Sequence, residues 1–228
     1  MKKAVCLLSG GLDSAVATAQ ATKEGYEITA LTFDYGQKHK KEINAAAKIA
    51  SDLNIKEHKI IKLELKIPHT TSLIGENTPP QNRSPEEINK QKKIPSTYVP
   101  ARNTIFLAIA LAHAETTNSQ AIYLGAHSID YSGYPDCRPE YFKKYQQLID
   151  IATKKTTEGD EIKIKTPLIY LNKAQIIKKG FNLDVNYKHT WSCYLGGKKA
   201  CGRCDACILR KEGFKQNGCD DPLDYETK

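Results

Sequence analysis

An apolar run that ends in two consecutive glycines opens the chain, in the stretch CLLSGGLDSAVATA from Cys6 to Ala19. Residues 4–9 predict a short buried strand, and the period of residues 13–24 predicts a helix that ends before Gly25. Glycine lets a ligand approach the backbone closely, and the free N–H groups at the start of a helix attract an anion. The stretch therefore predicts a strand, a phosphate-binding loop and a helix.

Asp13 is the unusual residue of this loop. A carboxylate repels phosphate unless a cation such as Mg²⁺ lies between them or the carboxylate orients a donor. Ser9 and Ser14 supply hydroxyl donors on either side of the glycines. The loop lacks the Lys-Ser/Thr of a Walker A loop and the G-x-G-x-x-G of a dinucleotide fold. From these residues alone, a tight turn in which Asp13 caps the helix is the alternative.

The alternation of strand and helix continues along the chain. Residues 27–36 and 58–65 predict further strands, and residues 40–54 predict a helix between them. The later patterns predict, in order, a helix over 101–117, a strand over 121–126, a helix near 139–156, a strand over 162–168 and a helix over 172–180 that Gly180 ends. This order predicts an α/β fold with a doubly wound, mostly parallel sheet.

Residues 68–100 interrupt the pattern, because they are rich in proline and polar residues and have no clear period. They predict a long surface loop, and loops of that length are usually functional or mobile. A lid that closes over a bound nucleotide is one role that such a loop could have, and the sequence leaves it open.

Four of the seven cysteines lie close together near the C-terminus, with the spacing C-x7-C-x2-C-x2-C. This spacing predicts thiolate ligands for one tetrahedral ion, with Zn²⁺ as the default and an iron–sulfur cluster as the alternative. A site with four sulfur ligands is closed, so we expect a structural role. We predict a nucleotide-binding and catalytic domain at 1–187 and a small metal-binding lobe at 188–228. The predicted metal ligands are Cys193, Cys201, Cys204 and Cys207.

The formal net charge of +8 is compatible with an acidic partner or with a solvated, lysine-rich surface. Basic patches interleaved with aromatic residues are missing from the sequence, so we expect no nucleic-acid partner. No window approaches the ~18 apolar residues of a membrane span. Gly10, Gly11 and Asp13 interrupt the N-terminal apolar stretch before it reaches the length of a signal peptide. We therefore expect a cytoplasmic protein that does not bind a membrane.

The stretch LLSGGLDSAVAT resembles the signature S-G-G-x-D-S of the ATP pyrophosphatases, also called the PP-loop or adenine nucleotide alpha hydrolase family. These enzymes cleave ATP between its α- and β-phosphates, and the loop holds the pyrophosphate. The resemblance implies ATP as a substrate, together with Mg²⁺, and catalytic roles for Asp13 and Ser14. The ATP-binding residues that it implies are Leu8, Ser9, Gly10, Gly11, Leu12, Asp13, Ser14, Ala15, Val16, Ala17 and Thr18.

Four further stretches resemble one subfamily, the 7-cyano-7-deazaguanine synthases. They are DYGQKHKKE (34–42), YVPARNTIFLAIA (98–110), SIDYSGYPDCRPEY (128–141) and the tail TWSCY with CGRCDACILRKEGFKQNGCDDP. The resemblance implies a homodimeric, ATP-dependent carbon–nitrogen ligase with structural zinc. Its reaction would convert 7-carboxy-7-deazaguanine and ammonia to the nitrile used for queuosine, through an adenylated acid and an adenylated amide. A tRNA thiolase of the same superfamily, with Cys137 as the persulfide carrier, is the alternative.

The stretch FDYGQKH follows the second predicted strand, at the edge where doubly wound sheets bind ligands. We expect Tyr35, Gly36 and Gln37 to contact adenosine, and a plain turn between strand and helix is the alternative. His39 and His127 also lie beside the predicted ligand loops.

Arg102 falls in the first turn of a predicted helix, where the helix dipole disfavours a cation. We therefore expect Arg102 to face phosphate or a carboxylate and to act in catalysis, with a surface ion pair as the alternative. The loop after the strand 121–126 is rich in groups that can read a purine-like edge. The predicted substrate-binding residues are Arg102, Asn103, Asp130, Ser132, Gly133, Tyr134, Asp136 and Arg138.

Overall fold

The computed structural model describes residues 1–65, 71–74, 77–91, 93–128 and 133–226. The strands in these residues are β1 (Lys3–Leu7), β2 (Glu27–Asp34), β3 (Glu57–Lys62), β4 (Ala121–Tyr123) and β5 (Lys163–Lys165). The α-helices are α1 (Leu12–Lys23), α2 (Lys41–Asp52), α3 (Pro85–Asn89), α4 (Arg102–Thr116), α5 (Pro139–Ala152), α6 (Lys154–Thr157), α7 (Lys173–Phe181) and α8 (Asp205–Gln216). The strands form one parallel sheet in the order β3-β2-β1-β4-β5, so the predicted α/β fold is confirmed.

Helices cover both faces of the sheet. Successive residues of a strand point to opposite faces, and Ala4, Val5 and Cys6 of β1 are all buried. Val5 packs in one cluster with Leu107 of α4. Ala4 and Cys6 pack in another cluster with Ala15 of α1, on the opposite face. Burial on both faces explains why β1 is a continuous apolar run rather than an alternating one.

The strand order reverses at β1, which places the functional cleft. Strands β2 and β3 lie on one side of β1, and β4 and β5 lie on the other. At such a switch point the connections leave in opposite directions and open a crevice outside the carboxyl ends of the strands. The loop 8–11 and the residues after β4 therefore border the same cleft.

The helix predicted over 172–180 is present as α7, but Gly180 does not end it. The helix continues to Phe181, and Gly180 is buried in its last turn. A Cβ atom at Gly180 would lie 1.9 Å from the hydroxyl oxygen of Tyr187. The glycine is needed because the Tyr187 ring packs against the helix there, so the prediction that Gly180 stops the helix is wrong.

Two further segments differ from the sequence-based expectation. The helix predicted near 139–156 is divided by Thr153, which has extended backbone angles and caps α6 through its hydroxyl. The proline-rich stretch contains α3, which Ser84 begins with a reciprocal capping box to Glu87. The starts of α3 and α6 both depend on a hydroxyl side chain that caps the helix. The spacing of apolar residues in the sequence does not indicate such caps.

The C-terminal residues pack tightly against the sheet domain. Phe214 of α8 lies in one cluster with Val16 of α1 and Ile177 of α7. Arg210 is 1% exposed and donates to both carboxylate oxygens of Asp221, at 2.7 and 2.9 Å. The domain boundary between residues 187 and 188 stays a prediction.

No described helix has the length and apolar character needed to cross a membrane.

Candidate active site

The loop between β1 and α1 is held open by its own hydrogen bonds. Ser14 Oγ accepts the Ser9 N–H at 3.2 Å and the Ser9 hydroxyl at 3.0 Å, and it donates to the Gly11 carbonyl at 2.9 Å. The residue before α1 is Gly11, and no described side chain caps this helix. The alternative in which Asp13 caps the helix is therefore wrong, and the uncapped N-terminus of α1 borders the cleft through Gly11, Asp13 and Ser14.

Close backbone approaches fix the position of this loop. Gly10 has a φ of +87°, and a Cβ there would lie 2.0 Å from the carbonyl oxygen of Glu42. The Gly10 carbonyl accepts the Trp191 N–H at 2.8 Å. A Cβ at Gly125, after β4, would lie 2.5 Å from the carbonyl carbon of Asp13. The loop thus lies between the start of α2, the cysteine-rich segment and the end of β4.

Asp13 faces a cation from a distant part of the chain. Its Oδ1 lies 2.6 Å from Lys173 Nζ, and its Oδ2 lies 3.6 Å from His127 Nε2. Burial by itself raises the pKa of the Asp13 carboxyl, but the charges of Lys173 and His127 outweigh burial and hold this pKa well below its usual range. The Asp13 carboxylate is therefore ionised and orients the Lys173 ammonium group. A carboxylate that orients a donor is one of the two arrangements that allow it to lie beside phosphate.

Arg102 begins α4 from the opposite side of the cleft. It follows Ala101, which has a left-handed φ of 54°. Its Nη1 lies 3.4 Å from the Tyr35 hydroxyl. Burial lowers the pKa of Arg102, but Tyr35 and Tyr134 outweigh burial and raise it. No carboxylate among the described residues lies within ion-pair distance of Arg102, and Arg102 lines the cleft. Its contact with phosphate or a carboxylate stays a prediction.

Asp136 caps α4 instead of leaving both of its oxygens to a ligand. Its Oδ2 accepts the Asn103 N–H at 3.0 Å. The Asn103 side-chain amide donates to the Asp136 carbonyl at 2.9 Å and lies 3.3 Å from Cys137 Sγ. Ala101 has no side-chain acceptor, so Asp136 satisfies an N–H group at the start of the helix. The roles of Asn103 and Asp136 as substrate readers stay predictions.

Gln37 braces the turn after β2. Its Oε1 accepts the Tyr35 N–H at 2.8 Å, and its Nε2 donates to the Phe33 carbonyl at 3.1 Å. Gly36 between them has a φ of +89° and open space around it. Tyr35 and Gln37 both line the cleft. Their contact with adenosine stays a prediction.

The cleft has two adjoining lobes. The first, of about 250 Å³, extends past the end of β2 and is lined by Tyr35 and Phe33. The second, of about 240 Å³, extends toward α7 and the cysteine-rich segment and is lined by Lys173 and Tyr134. The residues that line both lobes are Ser9, Gly11, Asp13, Glu42, Arg102, Gly125, Ala126, Cys137 and Tyr194. Two molecules could therefore meet at the loop and at Arg102.

The remaining predicted site residues lie in different surroundings. Six of the predicted ATP-binding residues have side chains that are at most 2% exposed, which leaves mainly their backbone groups to a ligand: Leu8, Leu12, Ala15, Val16, Ala17 and Thr18. Arg138 is exposed at the start of α5 and lines neither lobe. A Cβ atom added at Gly133 would lie 2.5 Å from Cδ of Pro95. Asp130 and Ser132 lie outside the described residues.

The sequence-based reasoning missed Lys173 and Glu42. Lys173 is the first residue of α7, after the capping residue Asn172. A cation in the first turn of a helix was the signal that singled out Arg102, and the same signal applies to Lys173. Glu42 lines both lobes, and burial raises the pKa of its carboxyl to about 7, against the opposing effect of Arg102.

The four predicted metal ligands come together. All are buried, and their sulfur atoms lie within 4.8 Å of one another. Two of the sulfur–sulfur distances are 3.5 and 3.9 Å, near the about 3.8 Å that a tetrahedral zinc site with 2.3 Å bonds requires. The N–H groups of Cys201 and Cys204 point at the sulfurs of Cys193 and Cys201, both at 3.3 Å. The donor set and its spacing fit Zn²⁺.

A parallel sheet with a switch-point cleft, an open S-G-G-x-D-S loop and a C-terminal cysteine cluster defines an α/β nucleotide-binding protein of the PP-loop type. A family model described as "Queuosine biosynthesis protein QueC" matches residues 3–218. The chain belongs to that family.

Relatives in this family are similar over the full length. Proteins named 7-cyano-7-deazaguanine synthase from Picrophilus torridus and Syntrophus aciditrophicus are each 51% identical to this chain over 99% of its length, and the matches cover 92% and 98% of those proteins. The protein of that name from Coxiella burnetii strain RSA 331 is 49% identical, with 100% of both chains covered. The resemblance to this subfamily is confirmed.

Among solved structures, an NMN synthetase from Francisella tularensis aligns with a TM-score of 0.48 and 19% identity, over 96% of this chain and 78% of the other. A 4-thiouridine synthetase bound to RNA and ATP aligns with a TM-score of 0.47 and 19% identity, over 94% and 53%.

Proposed function

We propose that this protein is an ATP-dependent carbon–nitrogen ligase that converts 7-carboxy-7-deazaguanine and ammonia to 7-cyano-7-deazaguanine. The names of relatives that are about half identical over the full length support the reaction. The observation that carries the chemistry is the convergence of the α1 N-terminus, Lys173 and Arg102 on one cleft. That arrangement suits a reaction in which negative charge develops on phosphate oxygens.

In the first step, ATP enters as its Mg²⁺ complex, which is part of the substrate. The loop N–H groups and Lys173 hold the β- and γ-phosphates, and Arg102 faces the α-phosphate. A carboxylate oxygen of the acid attacks the α-phosphorus, the bond to the bridging oxygen breaks, and pyrophosphate leaves. The protein contributes position and fixed positive charge rather than a covalent nucleophile. Asp13 keeps Lys173 oriented toward the phosphates.

The next steps need ammonia and a second ATP. Ammonia attacks the acyl carbon, loses a proton, and AMP leaves to give the amide. The amide oxygen then attacks the α-phosphorus of a second ATP and releases pyrophosphate. The nitrogen loses both of its protons as the C–O bond breaks and AMP departs, which leaves the nitrile. Both adenylation steps use the same charges, so one cleft serves both.

The cysteine cluster has a structural part in this proposal. Cys193, Cys201, Cys204 and Cys207 would hold Zn²⁺, which supplies a four-way cross-link. The same family relationship supports a homodimer that works in the cytoplasm on small molecules, without nucleic acid. The predicted domains at 1–187 and 188–228 form part of the same proposal.

The experiment supplies ATP, Mg²⁺ and ammonium with either 7-carboxy-7-deazaguanine or bulk tRNA and measures pyrophosphate release. We expect release with the free deazapurine alone. Turnover that needs tRNA would support the thiolase alternative instead. Burial and Asp136 raise the pKa of the Cys137 thiol to about 11, which disfavours the thiolate that a persulfide carrier needs. A Cys137→Ala variant should accordingly keep pyrophosphate release.

A further inference from the structure

The described part of the proline-rich stretch is attached to the cysteine-rich segment. Gln81 forms an antiparallel bridge with Cys204. The Asn82 N–H donates to the Arg203 carbonyl at 2.8 Å, and Arg203 Nε donates to Gln81 Oε1 at 2.7 Å. Residues 81–82 therefore lie directly against two consecutive residues of the metal-binding loop.

Arg83 extends this attachment into the interior. Its Nε donates to Asp205 Oδ1 at 3.0 Å, and its Nη2 donates to the second carboxylate oxygen. Asp205 is 1% exposed and directly follows Cys204 at the start of α8. A bidentate pair of this kind is strong and fixes direction as well as distance. The third contact of Arg83 is with Gln91, whose Oε1 accepts from Nη1 at 2.5 Å.

Gln91 links Arg83 to the segment 93–98, which contacts Gly133 and Tyr134 at the cleft. Its Nε2 donates to the Lys93 carbonyl at 3.0 Å. Two residues later, Pro95 packs against Gly133, where an added Cβ would lie 2.5 Å from Pro95 Cδ. Thr97 Oγ1 lies 2.6 Å from the Tyr134 hydroxyl. Tyr134 lines the second lobe of the cleft, next to Arg102 and Lys173.

We propose that Arg83 and Gln91 are positioning residues, which hold the Tyr134 side of the cleft in register with the metal-binding lobe. This inference rests on the proposed function. It names the acid substrate, rather than ATP, as the ligand whose binding the contact chain controls.

The reason lies in how the two ends of the cleft are supported. The loop 8–11 follows the central strand β1 and is fixed by backbone contacts to Glu42 and Trp191. Gly133 and Tyr134 lie on a loop, and the segment 93–98 packs against them from outside the sheet. Loosening the segment 93–98 raises the entropic cost of ordering Gly133 and Tyr134 without moving the loop 8–11.

The first test is a Gln91→Met variant, which keeps the side-chain length and leaves the Arg83–Asp205 pair intact. We expect the KM for 7-carboxy-7-deazaguanine to rise roughly tenfold, because Gln91→Met removes the hydrogen bonds to Arg83 and to the Lys93 carbonyl, and the KM for ATP to stay within about twofold. Lys90→Met is the matched control, because Lys90 is exposed next to Gln91. Equal KM values for wild type and Gln91→Met, or equal rises for both substrates, would overturn the proposal.

A second measurement needs no turnover and therefore separates this proposal from the proposed function. Amide hydrogen exchange over residues 133–137 should be roughly tenfold faster in Gln91→Met than in wild type, with no change over residues 8–14. Arg83→Lys keeps a cation beside the buried Asp205 but cannot reach Gln91 as well, so it should show the same pattern. Unchanged exchange at 133–137 in both variants would contradict the contact chain, even if the enzyme proved to use another substrate.

Discussion

Lys173 Nζ lies 2.6 Å from Asp13 Oδ1, and the two residues are 160 positions apart in the sequence. Lys173 begins α7, and Asp13 lies in the first turn of α1, so two helix N-termini lie close together. Each N-terminus carries positive partial charge, and Lys173 adds a full one. The single carboxylate of Asp13 offsets only part of this charge, and a polyphosphate would supply the rest.

Replacing Lys173 with Met should lower the rate of pyrophosphate release roughly 100-fold, because the phosphate oxygens lose an oriented cation in a buried site. Lys178→Met on the exposed face of the same helix is the control and should keep the wild-type rate. A Lys173→Met variant with normal turnover would remove Lys173 from the phosphate site.

The two loop glycines should respond differently to alanine. Gly10→Ala places a Cβ 2.0 Å from the Glu42 carbonyl oxygen at a φ of +87°, so the free energy of unfolding should fall by at least ~2 kcal/mol. At Gly11 the nearest atom to an added Cβ is Ser9 Oγ at 3.4 Å, so Gly11→Ala should fold normally. In the proposed function its methyl group would crowd the bound phosphates, so pyrophosphate affinity by calorimetry should fall roughly tenfold. The reverse assignment of the two effects would contradict the loop geometry.

The strand–loop–helix arrangement around Gly10 and Gly11 and the clustering of the four cysteines could be predicted because both depend on neighbouring residues. The spacing of Ser9 to Ser14 and of Cys201 to Cys207 places the functional groups within one turn or one loop. Lys173 could not be paired with Asp13 in this way, because only the packing of α7 on α1 brings them together. Its position in a first helical turn was nevertheless visible in the sequence.

One error, at Gly180, and one unforeseen contact, at Asp136, come from side chains whose partners are distant in the sequence. Gly180 is a usual residue for ending a helix, but contact with Tyr187 is what requires it. The Asp136 carboxylate suggested a purine reader, and the left-handed Ala101 explains why α4 takes one of its oxygens as a cap. The general preferences of residue types predict the local structure here. Tertiary contacts, which the sequence does not show, determine the partner of each side chain.

The raised pKa of Glu42 predicts a pH-dependent stability. Burial raises the pKa of this carboxyl from 4.5 to about 7, so the native state holds its proton more tightly than the unfolded state does. Wild type should therefore lose stability relative to Glu42→Gln as the pH rises from about 4.5 to 7. Urea unfolding at pH 5 and pH 8 should show a relative gain for Glu42→Gln of about 1–3 kcal/mol at the higher pH. A difference that is the same at both pH values would contradict the buried environment.

The cysteine cluster predicts one zinc per chain. Cys204→Ser should lose the metal and expose residues 188–210 to protease, because an unmetallated thiolate cluster repels itself and has little core. Cys219 lies outside the cluster, with its sulfur 3.6 Å from the Phe214 carbonyl, and Cys219→Ser is the matched control. Elemental analysis should find zinc in Cys219→Ser and not in Cys204→Ser. Protease resistance that survives chelation would refute a structural metal.

The most direct test of the proposed reaction is a product analysis by mass spectrometry. Purified protein is incubated with 7-carboxy-7-deazaguanine, ATP, Mg²⁺ and ammonium, and nucleotides and deazapurines are quantified together. The two-adenylation scheme predicts the nitrile, with AMP and pyrophosphate each formed twice per nitrile, and it predicts that the amide supplied alone is also converted. Formation of ADP and phosphate, or a reaction that stops at the amide with one AMP, would contradict it.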